Sequence, residues 1–264
     1  MDAPTRDRLL RPTAALLDLD GVLYVEDEPV AGAREAVAQL RERGLALRFV
    51  TNTTSRPRDA ILKRLHRLGF EVGPDELSTP AALAVDRCST QGHRRAMLLV
   101  RDDVKQDFAG VEEAEREVDA VIVGDLGDAF GYAVLNRAFR QLIDGAELIA
   151  LQRNRYWMTP DGLSLDVGPF VAALEYAART DAFVVGKPAR GFFATILASI
   201  PAEPGEAAMI GDDVESDIGG ALDAGLDGIL VRTGKYREDA LRTSGLQPTV
   251  VVDSIADVPA LLAG

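Results

Sequence analysis

Two aspartates separated by one residue, Asp18 and Asp20, follow the apolar run 14–17 and precede Gly21. If that run is a buried parallel strand, the pair lies at its C-terminal edge, where ligands bind in open α/β sheets. Side chains alternate along a strand, so both carboxylates point to one side and Leu19 to the other. Close carboxylates repel, and burying them requires a cation or a shared proton. The pair therefore indicates metal binding or acid–base chemistry, with a plain acidic turn at Asp20-Gly21 as the alternative.

A second apolar run, at 45–50, also ends in polar residues. Thr51 and Asn52 offer a hydroxyl, an amide and backbone N–H groups before the helical period around Ile61. Backbone N–H groups at a helix start or in a turn point at bound anions, so this strand end suits a phosphate or a similar oxyanion. The alternative is that a Thr or Ser here simply caps the helix that follows.

A lysine follows the apolar run 183–185. Lys187 lies between Gly186 and Pro188, a context that indicates a turn. Pointing into a cluster of carboxylates, its ammonium group would neutralise charge or bind a phosphate. The alternative is an ordinary surface lysine.

Acidic residues return after the apolar run 207–210, where Gly211 precedes Asp212 and Asp213, with Asp217 shortly after. With Asp18 and Asp20, this gives carboxylates at two separate strand ends, with no His or Cys nearby. Oxygen ligands select a hard cation, and Mg²⁺ fits best.

Composition excludes several classes of partner. The chain has 264 residues, 47% of them hydrophobic, and a formal net charge of −13. The negative charge disfavours nucleic acid and anionic membrane surfaces. Cys88 is the single cysteine and is expected to pack as a small apolar residue on a helix. The two histidines, His66 and His93, are expected to be solvated or packed. The first residues form no signal peptide and no apolar run reaches membrane-span length, so a cytoplasmic location is expected.

Apolar runs alternate with segments of helical period, which predicts parallel sheets with helices on their faces. Beyond the runs named above, strands are predicted at 97–100, 120–123, 147–151, 228–231 and 249–252. Breaks near 72–80 and 179–182 enclose a segment large enough for a small domain. The sequence thus predicts a discontinuous core, 1–78 and 184–264, interrupted by a domain at 79–183.

At this point the motifs resemble, in order, the four motifs of the haloacid dehalogenase superfamily of phosphohydrolases: residues 18–23, Thr51, Lys187, and Gly211-Asp212 with Asp217. The insertion between the second and third motifs resembles the subclass with a type IIA cap. Segments 24–32, 49–54, 161–177, 185–188 and 209–236 are similar to the haloacid dehalogenase-like hydrolase domain-containing proteins and to the phospholysine phosphohistidine inorganic pyrophosphate phosphatases. The resemblance implies an α/β fold: a Rossmann-like core with a parallel sheet, plus an inserted, smaller α/β cap domain.

The resemblance also implies a role for each core residue. Asp18 is the expected nucleophile, which forms an aspartyl-phosphate, and Asp20 is the expected general acid and base. Mg²⁺ is expected to be bound by the Asp18 carboxylate, the Asp20 carbonyl and Asp212. Asp213 and Asp217 are expected to lie behind the metal. The phosphate oxygens are expected to be bound by Thr51, Asn52 and Lys187.

The cap is expected to select the substrate, a small phosphorylated compound. Its expected contacts are Arg155, Asp166 and Gly168, near a polar hairpin at 160–162, while Tyr156, Trp157 and Phe170 are expected to fill a buried aromatic cluster. A homodimer through the cap is also expected. The alternatives are hydrolysis of phosphohistidine, phospholysine or inorganic pyrophosphate, and a non-catalytic protein that binds a phosphometabolite.

Overall fold

The computed structural model describes residues 11–159 and 161–262, so the expectations for residues 1–10 and for Pro160 lie outside it. The strands, in chain order, are β1 Ala14–Asp18, β2 Tyr24–Val25, β3 Glu28–Pro29, β4 Ala46–Val50, β5 Leu77–Ser78, β6 Arg95–Leu99, β7 Glu112–Glu113, β8 Ala120–Val123, β9 Glu147–Ala150, β10 Tyr156–Thr159, β11 Gly162–Leu165, β12 Phe183–Val184, β13 Ala207–Gly211, β14 Asp227–Val231 and β15 Val250–Val252. The α-helices are α1 Ala33–Glu42, α2 Arg58–Arg67, α3 Pro80–Gln91, α4 Tyr132–Ile143, α5 Val167–Ala178, α6 Arg190–Ala198, α7 Gly220–Asp223, α8 Glu238–Ser244 and α9 Val258–Leu261.

The described residues divide into two compact units. The first comprises those of Met1–Thr51, Leu62–Leu77 and Phe193–Gly264, and the second Asn52–Ile61 and Ser78–Phe192. The predicted strands and the predicted α/β class with parallel sheets are confirmed. The predicted division at 79–183 stays a prediction, and in these units 52–61 and 184–192 lie with the second.

The first unit is built on a sheet in the order β15-β14-β13-β1-β4-β5, with β1 in its interior. β1 pairs in parallel with both β4 and β13, and all five residues of β1 are buried. A strand buried on both faces needs a continuous apolar run, which explains why 14–17 shows no polar alternation. Because the strands are parallel, the C-terminal residues of β1 and β13 lie on the same edge of the sheet.

The second unit has its own parallel sheet, in the order β12-β9-β8-β6-β7. Its core combines residues of β6, β8 and β9 with apolar faces of α4 and α5. Helix α3 shows how local sequence sets its bounds, because the Thr79 hydroxyl accepts a hydrogen bond from the Ala82 N–H and Gly92 ends the helix at φ 75°. Cys88 of this helix is fully buried, as expected, and burial raises the pKa of its thiol to about 11. Among the described residues, no helix has the length and apolarity to cross a membrane.

Glu147, the first residue of β9, ties this sheet to α3. Its Oε1 accepts a hydrogen bond from Arg87 Nη2 at 2.6 Å, and its Oε2 lies 2.6 Å from His93 Nε2. Burial alone would raise the pKa of Glu147, but the hydrogen bonds from Arg87 and His93 outweigh it and hold this pKa below its ordinary value of 4.5. A depressed pKa means that the ionised carboxylate stabilises the folded state.

We expect Glu147→Gln to lower the free energy of unfolding by about 1–2 kcal/mol near neutral pH, since charge-assisted hydrogen bonds are lost. The stabilisation is present above the unfolded pKa and disappears as pH falls through the folded pKa, so the deficit should shrink below about pH 4. Urea unfolding of the wild type and the variant at several pH values measures this deficit in the free energy of unfolding. Asp181→Asn, at an exposed carboxylate of the same unit, is the control. A deficit independent of pH would show that the charge of Glu147 contributes nothing.

Candidate active site

Three buried carboxylates come together in the first unit. Asp18 ends β1, Asp212 directly follows β13, and Asp217 lies in the π-helical segment Val214–Gly219. Each offers an oxygen, and these oxygens all lie within 4.8 Å of one another. The side chains are 7%, 1% and 0% exposed. The predicted meeting of two acidic strand ends therefore takes place in the structure.

Electrostatics show that this group fits a cation. Two ionised carboxylates about 4–5 Å apart repel by roughly 3–4 kcal/mol at an effective dielectric constant near 20. Three such pairs would cost roughly 10 kcal/mol, which is comparable to the whole stability of an ordinary domain. Carboxylate oxygens alone form the group, and such a donor set suits Mg²⁺ better than a soft metal. The residues present fit the predicted magnesium ion.

Two glycines leave room for the Asp212 carboxylate. Gly21, at φ 83°, and Gly234, at φ 64°, adopt left-handed backbone conformations, and a Cβ on either would collide with this carboxylate. The Lys235 N–H donates a hydrogen bond to Asp212 Oδ2 at 2.6 Å. The Thr233 hydroxyl donates to the Gly21 carbonyl. The loop after β14 thus completes the site.

That loop was missed by the sequence reasoning. Its signal was present, since Thr233-Gly234-Lys235 follows the apolar run 228–231 as the other site residues follow theirs.

Asp213 and Asp217 differ in what their carboxylates do. Asp213 Oδ1 accepts hydrogen bonds from the N–H groups of Glu215 and Ser216, so it caps the helical segment that begins at Val214. Asp217 Oδ2 accepts one from the Asp213 N–H at 3.1 Å. The predicted placement of both behind a metal stays a prediction, and Asp217 is the one whose carboxylate joins the buried group.

Asp20 is half-buried and is followed by a hairpin that brings Tyr24 back to it. The Tyr24 hydroxyl lies 3.4 Å from Asp20 Oδ2 and donates to it. Burial, and next the charge of Asp20, raise the pKa of Tyr24 above its usual range. Leu19, between the two aspartates, is fully buried in the core.

Thr51 is buried in the first unit, directly after β4. Helix α2 begins only at Arg58, so Thr51 does not cap it. The capping alternative is therefore wrong for Thr51, because six residues of irregular backbone separate it from the helix.

In the second unit, the side chain of Asn52 forms two hydrogen bonds with the backbone of Lys187. Asn52 Nδ2 donates to the Lys187 carbonyl, and the Lys187 N–H donates to Asn52 Oδ1, both at 2.9 Å. Lys187 is 2% exposed, so the surface-lysine alternative is wrong. Gly186 has no room for a side chain, because a Cβ there would strike the Leu151 carbonyl and Asn52 Oδ1. The Asn52 amide thus fixes the turn that carries the lysine.

The three expected cap contacts lie in different surroundings. Asp166 caps α5 by accepting from the Val167 N–H, and it also accepts from the buried Gln152 Nε2. Gly168 lies against backbone, since a Cβ there would approach the Arg153 carbonyl to 2.5 Å. Arg155 is exposed. Asp166 and Gly168 therefore have structural tasks within this unit.

The expected buried aromatic cluster is wrong for two of its three members. Tyr156 and Trp157 are 53% and 55% exposed. They lie on the two-stranded ribbon β10–β11, which in the described part of the chain pairs with neither of the larger sheets. Phe170 stacks on Phe130 with ring centroids 3.8 Å apart.

His66 is exposed and His93 is partly buried, in line with the expectation that they are solvated or packed. His66 Nε2 lies 2.8 Å from the Val72 carbonyl, and His93 contacts Glu147.

Comparison with known proteins gives consistent results. Residues 15–112 match the family described as haloacid dehalogenase-like hydrolase, and residues 184–258 match the family described as HAD-hydrolase-like. The chain is 47% identical to haloacid dehalogenase-like hydrolase domain-containing protein 2 of Bos taurus, across 85% of each chain. It is 38% identical to human phospholysine phosphohistidine inorganic pyrophosphate phosphatase, across 98% of this chain and 97% of that one.

A solved structure is also similar. It is glycerol phosphate phosphatase from Mycobacterium tuberculosis in complex with magnesium, with a TM-score of 0.80 and 28% identity. The match covers 93% of this chain and 75% of that one.

Proposed function

The chain belongs to the haloacid dehalogenase-like hydrolase family and is a phosphatase of that family, and from this premise we propose that it hydrolyses a small phosphorylated substrate through an aspartyl-phosphate on Asp18, with Mg²⁺. The observation that carries the proposal is the group of three buried carboxylates: Asp18 and Asp212 at the ends of parallel strands, and Asp217 in the helical segment that follows. Its oxygen ligands suit the metal that phosphoryl transfer commonly uses.

In the proposed first step, an Asp18 carboxylate oxygen forms a bond to phosphorus as the bond from phosphorus to the leaving oxygen breaks. Asp20 transfers a proton to that leaving oxygen. In the second step, a water oxygen bonds to phosphorus, its proton passes to Asp20, and the bond between Asp18 and phosphorus breaks. Inorganic phosphate leaves and both aspartates return to their starting states.

The metal would be held by the Asp18 carboxylate, the Asp20 carbonyl and Asp212, with Asp217 and Asp213 behind it. When bound, Mg²⁺ supplies positive charge that offsets the charge on the transferring phosphoryl group. The resemblance assigns the phosphate oxygens to Thr51, Asn52 and Lys187, and we keep that assignment in the proposal. Donors fixed before the reaction stabilise developing charge without reorganisation.

A second candidate substrate class is phosphohistidine, phospholysine or inorganic pyrophosphate. It is supported by the 38% identity to human phospholysine phosphohistidine inorganic pyrophosphate phosphatase, which extends over almost the full length of both chains. A P–N or P–O–P bond would be broken by the same two aspartates, so the site chemistry favours neither class. The third candidate, a phosphometabolite-binding protein without turnover, is disfavoured by the presence of both Asp18 and Asp20.

Phosphate release across a panel of compounds, with Mg²⁺ or with EDTA, tests the proposal. The panel contains p-nitrophenyl phosphate, sugar phosphates, phosphoserine, phosphohistidine, phospholysine and pyrophosphate. We expect turnover of monoesters that EDTA abolishes. Turnover confined to the P–N and pyrophosphate compounds would favour the second candidate, and tight calorimetric binding without any phosphate release would favour the third. The expected cap contacts, the homodimer through the cap and the cytoplasmic location stay predictions.

A further inference from the structure

The backbone of Tyr24 is fixed against the catalytic loop. The Gly21 N–H donates a hydrogen bond to the Tyr24 carbonyl at 2.7 Å, and Asp20 and Tyr24 form an isolated parallel bridge. Tyr24 then opens the hairpin of β2 and β3, in which it pairs with Pro29. Four residues after the proposed general acid, the chain has therefore returned to lie beside it.

The side chain of Tyr24 also lies beside Asp20. It is 2% exposed, and its hydroxyl lies 3.4 Å from Asp20 Oδ2. That distance is at the long end for a hydrogen bond, as often occurs at catalytic groups before substrate binds. A carboxylate only accepts, so the hydroxyl is the donor.

An arginine holds the Tyr24 ring from its face. The Arg64 guanidinium lies 4.4 Å from the ring centroid, within the range of a cation–π contact. Arg64 is itself anchored, since its Nη2 donates to the Glu26 carbonyl and lies 3.2 Å from Asp27 Oδ1. Both of these acceptors belong to the turn of the same hairpin. The ring is thus held by its own backbone and by Arg64, and its hydroxyl has a defined position.

We propose that Tyr24 is a positioning residue for Asp20: its hydroxyl holds Oδ2, so that Oδ1 faces the reacting groups and transfers the proton. This inference rests on the proposed function, in which Asp20 is the general acid and base. The proton on Oδ1 passes to the leaving oxygen as its bond to phosphorus breaks, and Oδ1 takes a proton from water in the second step. Tyr24 itself exchanges no proton with substrate.

The effect of losing the Tyr24 hydroxyl should depend on the leaving group. A weakly basic leaving group such as p-nitrophenolate departs with little help from an acid, whereas phenolate needs its proton more. Misplacing the Asp20 carboxyl should therefore slow phenyl phosphate more than p-nitrophenyl phosphate. A merely structural change in the hairpin would slow both alike.

Tyr24→Phe tests this, because it removes the hydroxyl and keeps the ring that contacts Arg64. We expect kcat/KM for phenyl phosphate, which reports the step in which the leaving group departs, to fall about 5- to 10-fold, the value of one lost hydrogen bond. For p-nitrophenyl phosphate kcat/KM should fall less than about 2-fold. Tyr176→Phe, at a tyrosine 89% exposed in the second unit, is the matched control and should change neither rate.

Equal loss on the two substrates, or no loss, would overturn the role of Tyr24. If Tyr24→Phe does not fold, Arg64→Gln tests the same point, since it keeps the hydroxyl and removes the contact with the ring. It should lower the phenyl phosphate rate selectively but less, and a uniform effect would again overturn the inference. Wild-type protein that turns over no phosphate compound would instead overturn the proposed function, and this role with it.

Discussion

Asp18→Asn is expected to lower the rate of phosphate release from p-nitrophenyl phosphate by at least about 10³-fold with Mg²⁺ present. The amide has nearly the shape of the carboxylate, but it is neutral and is not an effective nucleophile toward phosphorus. Because Asp18 is buried at the end of β1 beside Asp212 and Asp217, removing its charge also relieves repulsion. The variant should therefore melt no lower than the wild type when metal is absent. Phosphate release and thermal melting together measure both effects.

The control for this variant is Asp75→Asn, at an exposed carboxylate of the same unit. It changes the net charge equally and should keep the wild-type rate. If Asp18→Asn retained more than about a tenth of that rate, another group would have to be the nucleophile. If it lost activity together with a large drop in melting temperature, the loss would report unfolding and not chemistry.

Asp212→Asn is expected to abolish the stabilisation that Mg²⁺ gives to the protein. A cation that binds only the folded state raises the free energy of unfolding, by about 2.7 kcal/mol at a concentration 100 times its Kd. Asp212 contributes an almost fully buried carboxylate to the acidic group, and an Asn would keep an oxygen for the Lys235 N–H while losing the charge. Activity should fall by at least about 10²-fold, since direct metal ligands matter at least as much as the groups that support them.

Melting curves of this variant and the wild type, in Mg²⁺ and in EDTA, give a measurement independent of turnover. In EDTA the variant should melt higher than the wild type, because two buried carboxylates repel less than three. In Mg²⁺ the order should reverse. An equal Mg²⁺-induced rise in both proteins would exclude Asp212 as a ligand. Asp75→Asn should respond to Mg²⁺ as the wild type does.

Much of the site could be predicted because it follows local patterns. The runs that precede Asp18 and Asp212 are apolar and uninterrupted, as strands buried on both faces must be. Parallel strands joined by helices have their C-terminal residues on one edge, so Asp18 and Asp212 were expected at the same edge, and the pairing of β1 with β13 makes them neighbours. Gly21 and Gly211 flank these acids in the sequence, but only the structure shows that a Cβ at either position would strike Asp212 or Asp217.

Other features depended on which donor each polar group finds in the folded chain. Asp213 and Asp217 are chemically identical and four residues apart, yet one accepts helix N–H groups and the other joins the buried carboxylates. Asp166, an expected substrate contact, is found to cap α5. The Tyr24 hydroxyl reaches Asp20 only because the hairpin closes on the loop.

The sequence by itself determined the succession of strands along the chain, the acidic residues at their ends and the preference for a hard cation, because periodicity and residue chemistry are local properties. Only the tertiary structure decided which hydrogen-bond partner each polar group has. The Asn52 amide bonds to the backbone of Lys187, Asp213 accepts from helix N–H groups, and the Tyr24 hydroxyl donates to Asp20. Each of these is a competition among partners that are brought together by folding. Each hydrogen bond contributes about 1 kcal/mol, and which of them form depends on the three-dimensional geometry, which a local sequence pattern does not specify.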